Sequence, residues 1–134
     1  MSLCHIEVDD RERASGIIDL LEVNEAVKCN VSHLSVGDYC VDNWLLVERK
    51  SMPDFVQSLI SGRLFKQASK LINSVYTPVI ILEGRAKDIE NYNIHRNAIH
   101  GALITLSLIF SIPILRSANK IETINLMLFS AKQK

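Results

Sequence analysis

Apolar runs of strand length alternate with stretches of helical period along most of the sequence. Leu3 to Val8 reads as a strand that ends in acidic residues. In Ala14 to Glu22, Ile17, Ile18 and Leu21 share one side, which predicts a short helix. Val27 to Val36 is mixed but leans toward β. Tyr39–Val41 and Leu45–Val47 are apolar runs on either side of Asp42-Asn43-Trp44, the pattern of a hairpin. Ser51 suits an N-cap, Pro53 a first turn, and Asp54 the positive end of a helix dipole, so a helix is expected to about Ile60. Gly62 interrupts it, and a second helix is expected from Arg63 to about Tyr76. Val79 to Leu82, after Pro78, is continuously apolar, as in a strand covered on both faces. Glu83 to Asn93 reads as polar loop, His95 to Phe110 as a helix, Ile112 to Leu115 as a buried strand, and Asn119 to Ala131 as the last helix. The alternation predicts one α/β domain over residues 1–134, with a mixed central sheet flanked by helices on both faces.

Composition narrows this picture. Nearly half of the 134 residues are apolar, enough to bury a core without disulfides. The 15 basic and 15 acidic side chains balance to zero, which argues against coating nucleic acid by bulk charge. Cations gathered along one groove remain compatible with that balance. Cys4, Cys29 and Cys40 have neither CxxC spacing nor matching histidines, so no zinc knuckle or disulfide framework is expected. Ala98 to Leu115 carries no formally charged side chain and approaches the length of a membrane span. Gly101, three hydroxyl residues and Pro113 weaken that reading, and a buried helix followed by a buried strand is expected instead. With no signal peptide and reduced cysteines, an intracellular protein is expected.

The chemistry concentrates between Val8 and Asp54. Three charged clusters fall at strand ends or on the hairpin: Asp9 to Glu12, Gly37-Asp38, and Glu48-Arg49-Lys50 followed by Asp54. Magnesium takes hard oxygen ligands, typically one or two carboxylates with waters and substrate phosphate. A neighbouring lysine orients or deprotonates water and stabilises developing charge. Side chains alternate along a strand, so Glu48 and Lys50 share a face. Asp38 joins them only if the hairpin loop is Asp42-Asn43-Trp44, three residues, or an equivalent bulge; a two-residue loop would turn Glu48 away. The three-residue loop is expected. A lone Glu-x-Lys is most often a solvated surface pair. Here the charges interrupt an apolar strand of a covered sheet, where unpaired charge is costly.

Four elements then act as one signature: Val8-Asp9-x-Arg11-Glu12, Gly37-Asp38-Tyr39, Val47-Glu48-Arg49-Lys50 with Asp54, and Gly62-Arg63-Leu64-x-x-Gln67. Together they resemble the XPF family of structure-specific nucleases, nearest to archaeal XPF and Hef nuclease domains. The resemblance implies a restriction-endonuclease-like fold. It also implies Mg2+-dependent cleavage, with Mn2+ able to substitute, of branched DNA such as 3′ flaps, forks and splayed arms in repair or recombination. Asp9, Asp38 and Glu48 correspond to metal-site acids, Glu12 to a further active-site acid and Lys50 to the catalytic lysine. Arg49 and Asp54 complete the catalytic signature. Arg11, Arg63 and Gln67 match flanking positions suited to DNA phosphate contact or site support. Asp10 falls on the variable position. Such nucleases join this domain to helix-hairpin-helix and sometimes helicase domains, which residues 1–134 do not contain. A sliding clamp is a further partner the resemblance suggests, and a cytoplasmic, nucleoid-associated location follows from it. Two other functions fit less well: a resolvase of the same broad fold, which would cut four-way junctions symmetrically, and a DNA-binding or scaffolding module that does not cut.

The two C-terminal helices are apolar on more than one side. Ala98, Ile99, Ala102, Leu103, Leu106, Ile109 and Phe110 form one stripe, with Ile104 and Leu108 off it. Ile121, Ile124, Met127, Leu128 and Ala131 form another, with Leu126 and Phe129 beside it. A small domain has little room to bury both, so a homodimer through residues 95–131 is expected, as the family resemblance also implies. His5, His33, His95 and His100 lack metal-like spacing and are read as structural or surface residues. Trp44 has two readings, a DNA-stacking ring or a packing plug.

Overall fold

The computed structural model describes residues 3–134. Six strands form one sheet in the order β2-β1-β3-β4-β5-β6: β1 (Cys4–Asp9), β2 (Val27–Ser32), β3 (Tyr39–Val41), β4 (Leu45–Ser51), β5 (Thr77–Glu83) and β6 (Ile114–Ser117). β1 pairs antiparallel with β3 and β3 with β4, while β1–β2, β4–β5 and β5–β6 are parallel, so the sheet is mixed. Each parallel pair is joined by a helical crossover, as short tight turns cannot join parallel strands.

The alternation of side chains divides the core in two. On one face, Ile6, Val8, Tyr39, Val41, Val47 and Ile81 pack with α1 (Ile17–Glu22) and α5 (Lys120–Lys132). On the other, Leu46, Ile80 and Leu82 pack with α2 (Met52–Ser61), α3 (Leu64–Ile72) and α4 (Arg96–Ile104). Helices therefore cover both faces, in the α/β arrangement expected.

Helix starts follow capping chemistry. Ser51 accepts from the Asp54 N–H, Asn119 from Glu122 and His95 from Asn97. Several boundaries differ from the sequence reading. The expected helix at Ala14–Glu22 is broken by Gly16 at φ 85°, which separates a 3₁₀ turn over Asp10–Ser15 from α1. α3 stops at Ile72 rather than Tyr76, and β6 begins at Ile114, after a turn at Ser111. Glu83 belongs to β5 and not to the following loop.

The helix from His95 also changes phase. The Phe110 N–H donates to the Thr105 carbonyl, five residues back, and Thr105–Ile109 forms a π-turn. The wider turn spaces inward positions by more than the α-helical 3.6 residues, so Phe110 rather than Ile109 follows Leu106 onto the core. Ile109, expected on the inward stripe, is therefore 75% exposed, beside Leu108 at 73%. Ala98 is exposed as well. On α5, Ile121 leaves the expected stripe for solvent, while Thr123, a polar residue, is fully buried. Among the described residues, no helix is long and apolar enough to cross a membrane.

Candidate active site

The hairpin sets the site. Tyr39 pairs with Val47, Cys40 with Leu46 and Val41 with Leu45, so the loop is Asp42, Asn43 and Trp44. Asp42 and Asn43 both adopt positive φ, and the Trp44 N–H closes the turn onto the Val41 carbonyl at 3.0 Å. Trp44 is the extra residue that sets the register, and its ring packs partly against the core under the Lys134 ammonium, 4.9 Å from the centroid. It is a packing plug at the end of the hairpin away from Asp38.

Continuing that register puts Asp38 across from Glu48. The Asp38 N–H donates to Val47 O at 2.8 Å, and its carboxylate takes the Arg49 N–H at 2.7 Å, standing in for a main-chain acceptor. On the other side, the Asp9 N–H donates to Asp38 O at 2.8 Å. Asp9, Asp38 and Glu48 therefore form a lateral row across β1, the start of β3, and β4, and all three line one groove. Gly37 makes the entry to this row. Its φ is +77°, and an added Cβ would lie 2.5 Å from Leu46 Cδ1. Gly37→Ala is expected to cost roughly 2 kcal/mol of stability, measurable by urea unfolding.

Lys50 follows Glu48 on the same face. It is buried, with its ammonium hydrogen-bonded to Ser58 Oγ of α2 at 3.0 Å. Asp38, Glu48, Lys50, Asp54, Arg63 and Gln67 line a continuous part of the groove, to which Glu12 and Arg49 also contribute. Asp54 sits exposed on the first turn of α2. Arg63, Gln67 and Lys70 recur at helical spacing along α3, so one stripe faces the acids. Gln67 Oε1 is buried without a partner, among the described residues.

The electrostatics are those of crowded acids. Burial, with Glu48 and Glu12 nearby, pushes the Asp38 carboxyl up to about 8, against the stabilising Arg49 N–H. Burial also raises Glu48, opposed by the adjacent Lys50 ammonium. Asp9 differs. Its two oxygens accept from Arg11 Nε (2.6 Å), Arg11 Nη2 (3.1 Å), the Arg11 N–H (3.2 Å) and the Leu34 N–H (2.9 Å). The Arg11 side chain is the chief cause that holds Asp9 below its ordinary range, burial notwithstanding. Asp9 is thus occupied by Arg11, whereas Asp38 and Glu48 face each other with Lys50 nearby but no direct ion pair among the described residues.

Glu12 and Arg49 stand at the groove wall in a second network. Glu12 accepts from the Tyr39 hydroxyl at 2.7 Å and lies 3.4 Å from Arg49 Nη1, and Arg49 makes two bonds to Glu83. The sequence reading missed Glu83, Ser58 and Lys70. Glu83 carries the same signal as Glu48, an acid closing an apolar strand. Ser58 is a polar residue on the inward face of an amphipathic helix, and Lys70 continues the Arg63–Gln67 spacing. His33, read as a surface residue, places Nδ1 3.3 Å from Asp10 Oδ1 and 3.9 Å from Asp9 Oδ1. Asp9, Asp10 and His33 thereby bring ligand atoms within 4.8 Å of one another at the rim.

Residues 8–129 match the ERCC4 domain model. The chain belongs to the ERCC4-domain family. This ERCC4 domain is 36% identical over 118 residues to the 3′-flap repair endonuclease Xpf of Saccharolobus solfataricus, covering 88% of this chain and 50% of that one. It is 37% identical over 125 residues to a putative ATP-dependent RNA helicase of Methanocaldococcus jannaschii, covering 88% of this chain and 15% of that protein. Among solved structures, XPF from Aeropyrum pernix in complex with DNA superposes with a TM-score of 0.85 at 30% identity, over 96% of this chain and 64% of that one. The same protein, described without DNA, gives 0.87 at 32% identity, over 96% and 60%. The ERCC4 domain thus spans half or less of the length of these two curated relatives. The XPF resemblance read from the four motifs is borne out, as is the α/β fold it implied.

Proposed function

We propose that the domain is the catalytic unit of a metal-dependent endonuclease that hydrolyses phosphodiester bonds in branched DNA, such as 3′ flaps, forks and splayed arms, in repair or recombination. The observation that carries this reading is the face-to-face pair Asp38 and Glu48, with Lys50 beside it, in a groove edged by Arg63, Gln67 and Lys70. The relatives support it: one is named for 3′-flap repair, and an XPF neighbour was solved with DNA.

The donor set fits a hard divalent cation. Two carboxylates, crowded enough to be pushed toward protonation, are relieved by positive charge between them, and no sulfur or imidazole lines the groove beside Asp38 and Glu48 among the described residues. Asp38 and Glu48 would hold Mg2+, or Mn2+ in its place, and Asp9 would join where Arg11 swings from it onto a DNA phosphate. When bound, the cation neutralises phosphate charge and acidifies a water. Lys50, held at its nitrogen by Ser58, then donates to the attacking water or to a phosphate oxygen as charge develops. Glu48 keeps that ammonium in place by attraction. Arg49 and Glu12 shape the opposite wall, Asp54 orients water at the rim, and Arg63, Gln67 and Lys70 grip the backbone of the strand.

Cleavage of labelled fork and flap DNA with and without Mg2+ or Mn2+ tests this directly. Cation-dependent cutting near the branch supports the reading. Binding without cutting would leave a scaffolding module, and symmetric cutting of four-way junctions alone would make it a resolvase.

A homodimer belongs to the same reading. Ile104, Leu108 and Ile109 on the α4 side, and Ile121 and Phe129 on α5, are large apolar residues more than half exposed. Leu108→Glu combined with Ile109→Glu is expected to convert a dimer to a folded monomer in analytical ultracentrifugation; an unchanged mass would remove this interface. A sliding-clamp partner and work at the nucleoid are further expectations of the reading.

A further inference from the structure

Behind Arg49 lies a network that the recognised motifs do not contain. Glu83 closes β5, in register with Ser51 of β4. Its Oε2 accepts from Arg49 Nε at 2.9 Å and its Oε1 from Arg49 Nη2 at 2.6 Å, a two-pronged clamp. Oε2 also accepts from Thr123 Oγ1 of α5 at 2.6 Å. Thr123 is fully buried, and Glu83 is nearly so. The only other bond to the Arg49 guanidinium, among the described residues, is the long 3.4 Å contact of Nη1 with Glu12.

This geometry distinguishes a positioning device from a simple stabilising pair. A fork–fork pair fixes the guanidinium plane as well as its charge. Here the clamp takes Nε and Nη2 and leaves Nη1 to its long contact with Glu12, which lines the groove together with Arg49, Asp38, Glu48 and Lys50. A pair that served stability alone needs no guanidinium on the groove wall with one nitrogen so loosely held. Thr123 in turn fixes the carboxylate plane of Glu83. It rides on the helix that exposes Ile121 and Phe129, so one hydrogen bond from Thr123 and the two of the clamp link α5 through Glu83 to Arg49.

We propose that Glu83, oriented by Thr123, is a positioning residue that aims the Nη1 edge of Arg49, held otherwise only by its long Glu12 contact among the described residues, at a phosphate bound in the groove. Glu83 itself touches no reacting atom. The proposal rests on the endonuclease reading above and adds to it a residue outside the four motifs.

The test uses the full chain, fork DNA and Mg2+, with Glu83→Gln, Glu83→Asp, Thr123→Val, Arg49→Ala and the double variant Arg49→Ala/Glu83→Gln. Glu83→Gln should lower kcat about 10- to 100-fold, as loss of an orienting partner does, with KM nearly unchanged and β-sheet circular dichroism intact. Glu83→Asp should recover part of the loss, and the double variant should be no slower than Arg49→Ala alone. Multiplying losses in the double variant, or a fall that only tracks the unfolded fraction, would overturn the proposal. If Glu83→Gln does not fold, Thr123→Val decides by the same kcat-against-KM split, and an unchanged kcat refutes the relay. If the wild-type chain cuts nothing, the endonuclease reading fails separately. The positioning claim is then read by NMR: the Arg49 Nε–H should be protected from exchange in the wild type and lose protection in Thr123→Val or Glu83→Gln. Undiminished protection would contradict it.

Discussion

Lys50→Ala is expected to lower cleavage of fork DNA about 100- to 1,000-fold, the loss typical of removing one preorganised donor from a developing oxyanion. Fold and DNA affinity should hardly change. Among the described residues the Lys50 ammonium has one hydrogen-bond partner, Ser58, and it lies on the groove floor rather than among the exposed cations that would meet the phosphate backbone. The cost should therefore fall on kcat, because the lysine matters most when charge builds on phosphate or water. Single-turnover kinetics at saturating enzyme check this by separating binding from chemistry. A Lys50→Ala variant that cuts at the wild-type rate would remove this residue from the mechanism. One that fails to bind DNA would make it a backbone contact instead.

Asp38→Asn is expected to abolish cleavage by a similar or larger factor and, in the absence of divalent cations, to stabilise the domain at pH 8. The sign follows from linkage. In the folded protein, burial and the neighbouring Glu48 raise Asp38 to about 8, well above its unfolded value of 3.8. Between those values the folded state binds the extra proton, so this group's contribution to stability falls as pH rises from about 4 to 8. Asparagine keeps the acceptor for the Arg49 N–H and removes the charge. The variant is therefore expected to melt at a higher temperature than wild type at pH 8. The gain should shrink toward pH 5. Thermal melts of wild type and variant at both pH values, in chelator, test this. A variant less stable than wild type at pH 8 would mean that Asp38 is held charged by groups other than a cation. Activity and metal-free stability thus pull in opposite directions at one residue.

The parts of this site that could be read from sequence were those fixed by short-range geometry. The period of two along β4 put Glu48 and Lys50 together, and the loop Asp42–Trp44 set the register that brings Asp38 to them. The sheet with helices on both faces followed from the alternation of runs. Phase changes in the backbone were not legible. The π-turn at Thr105–Ile109 turns Ile109 outward, and Gly16 breaks a helix that propensity alone extends. Long-range pairing was hidden too. Glu83 is 34 residues from Arg49, and its role depends on a parallel crossover that a single run of apolar residues does not announce. Asp9 was legible as an acid of the site, but its engagement by Arg11 was not, since a local turn over Asp10–Ser15 folds the arginine back onto it.

The proposed chemistry depends above all on the hairpin presenting Asp38 and Glu48 together to a divalent cation beside Lys50. Anomalous diffraction from crystals equilibrated with Mn2+ measures this without depending on turnover. The expected result is a peak at coordination distance from carboxylate oxygens of both Asp38 and Glu48, lost in Asp38→Asn. A peak held only by Asp10 and His33 at the rim, with none between Asp38 and Glu48 in a protein that still cuts DNA, would contradict it.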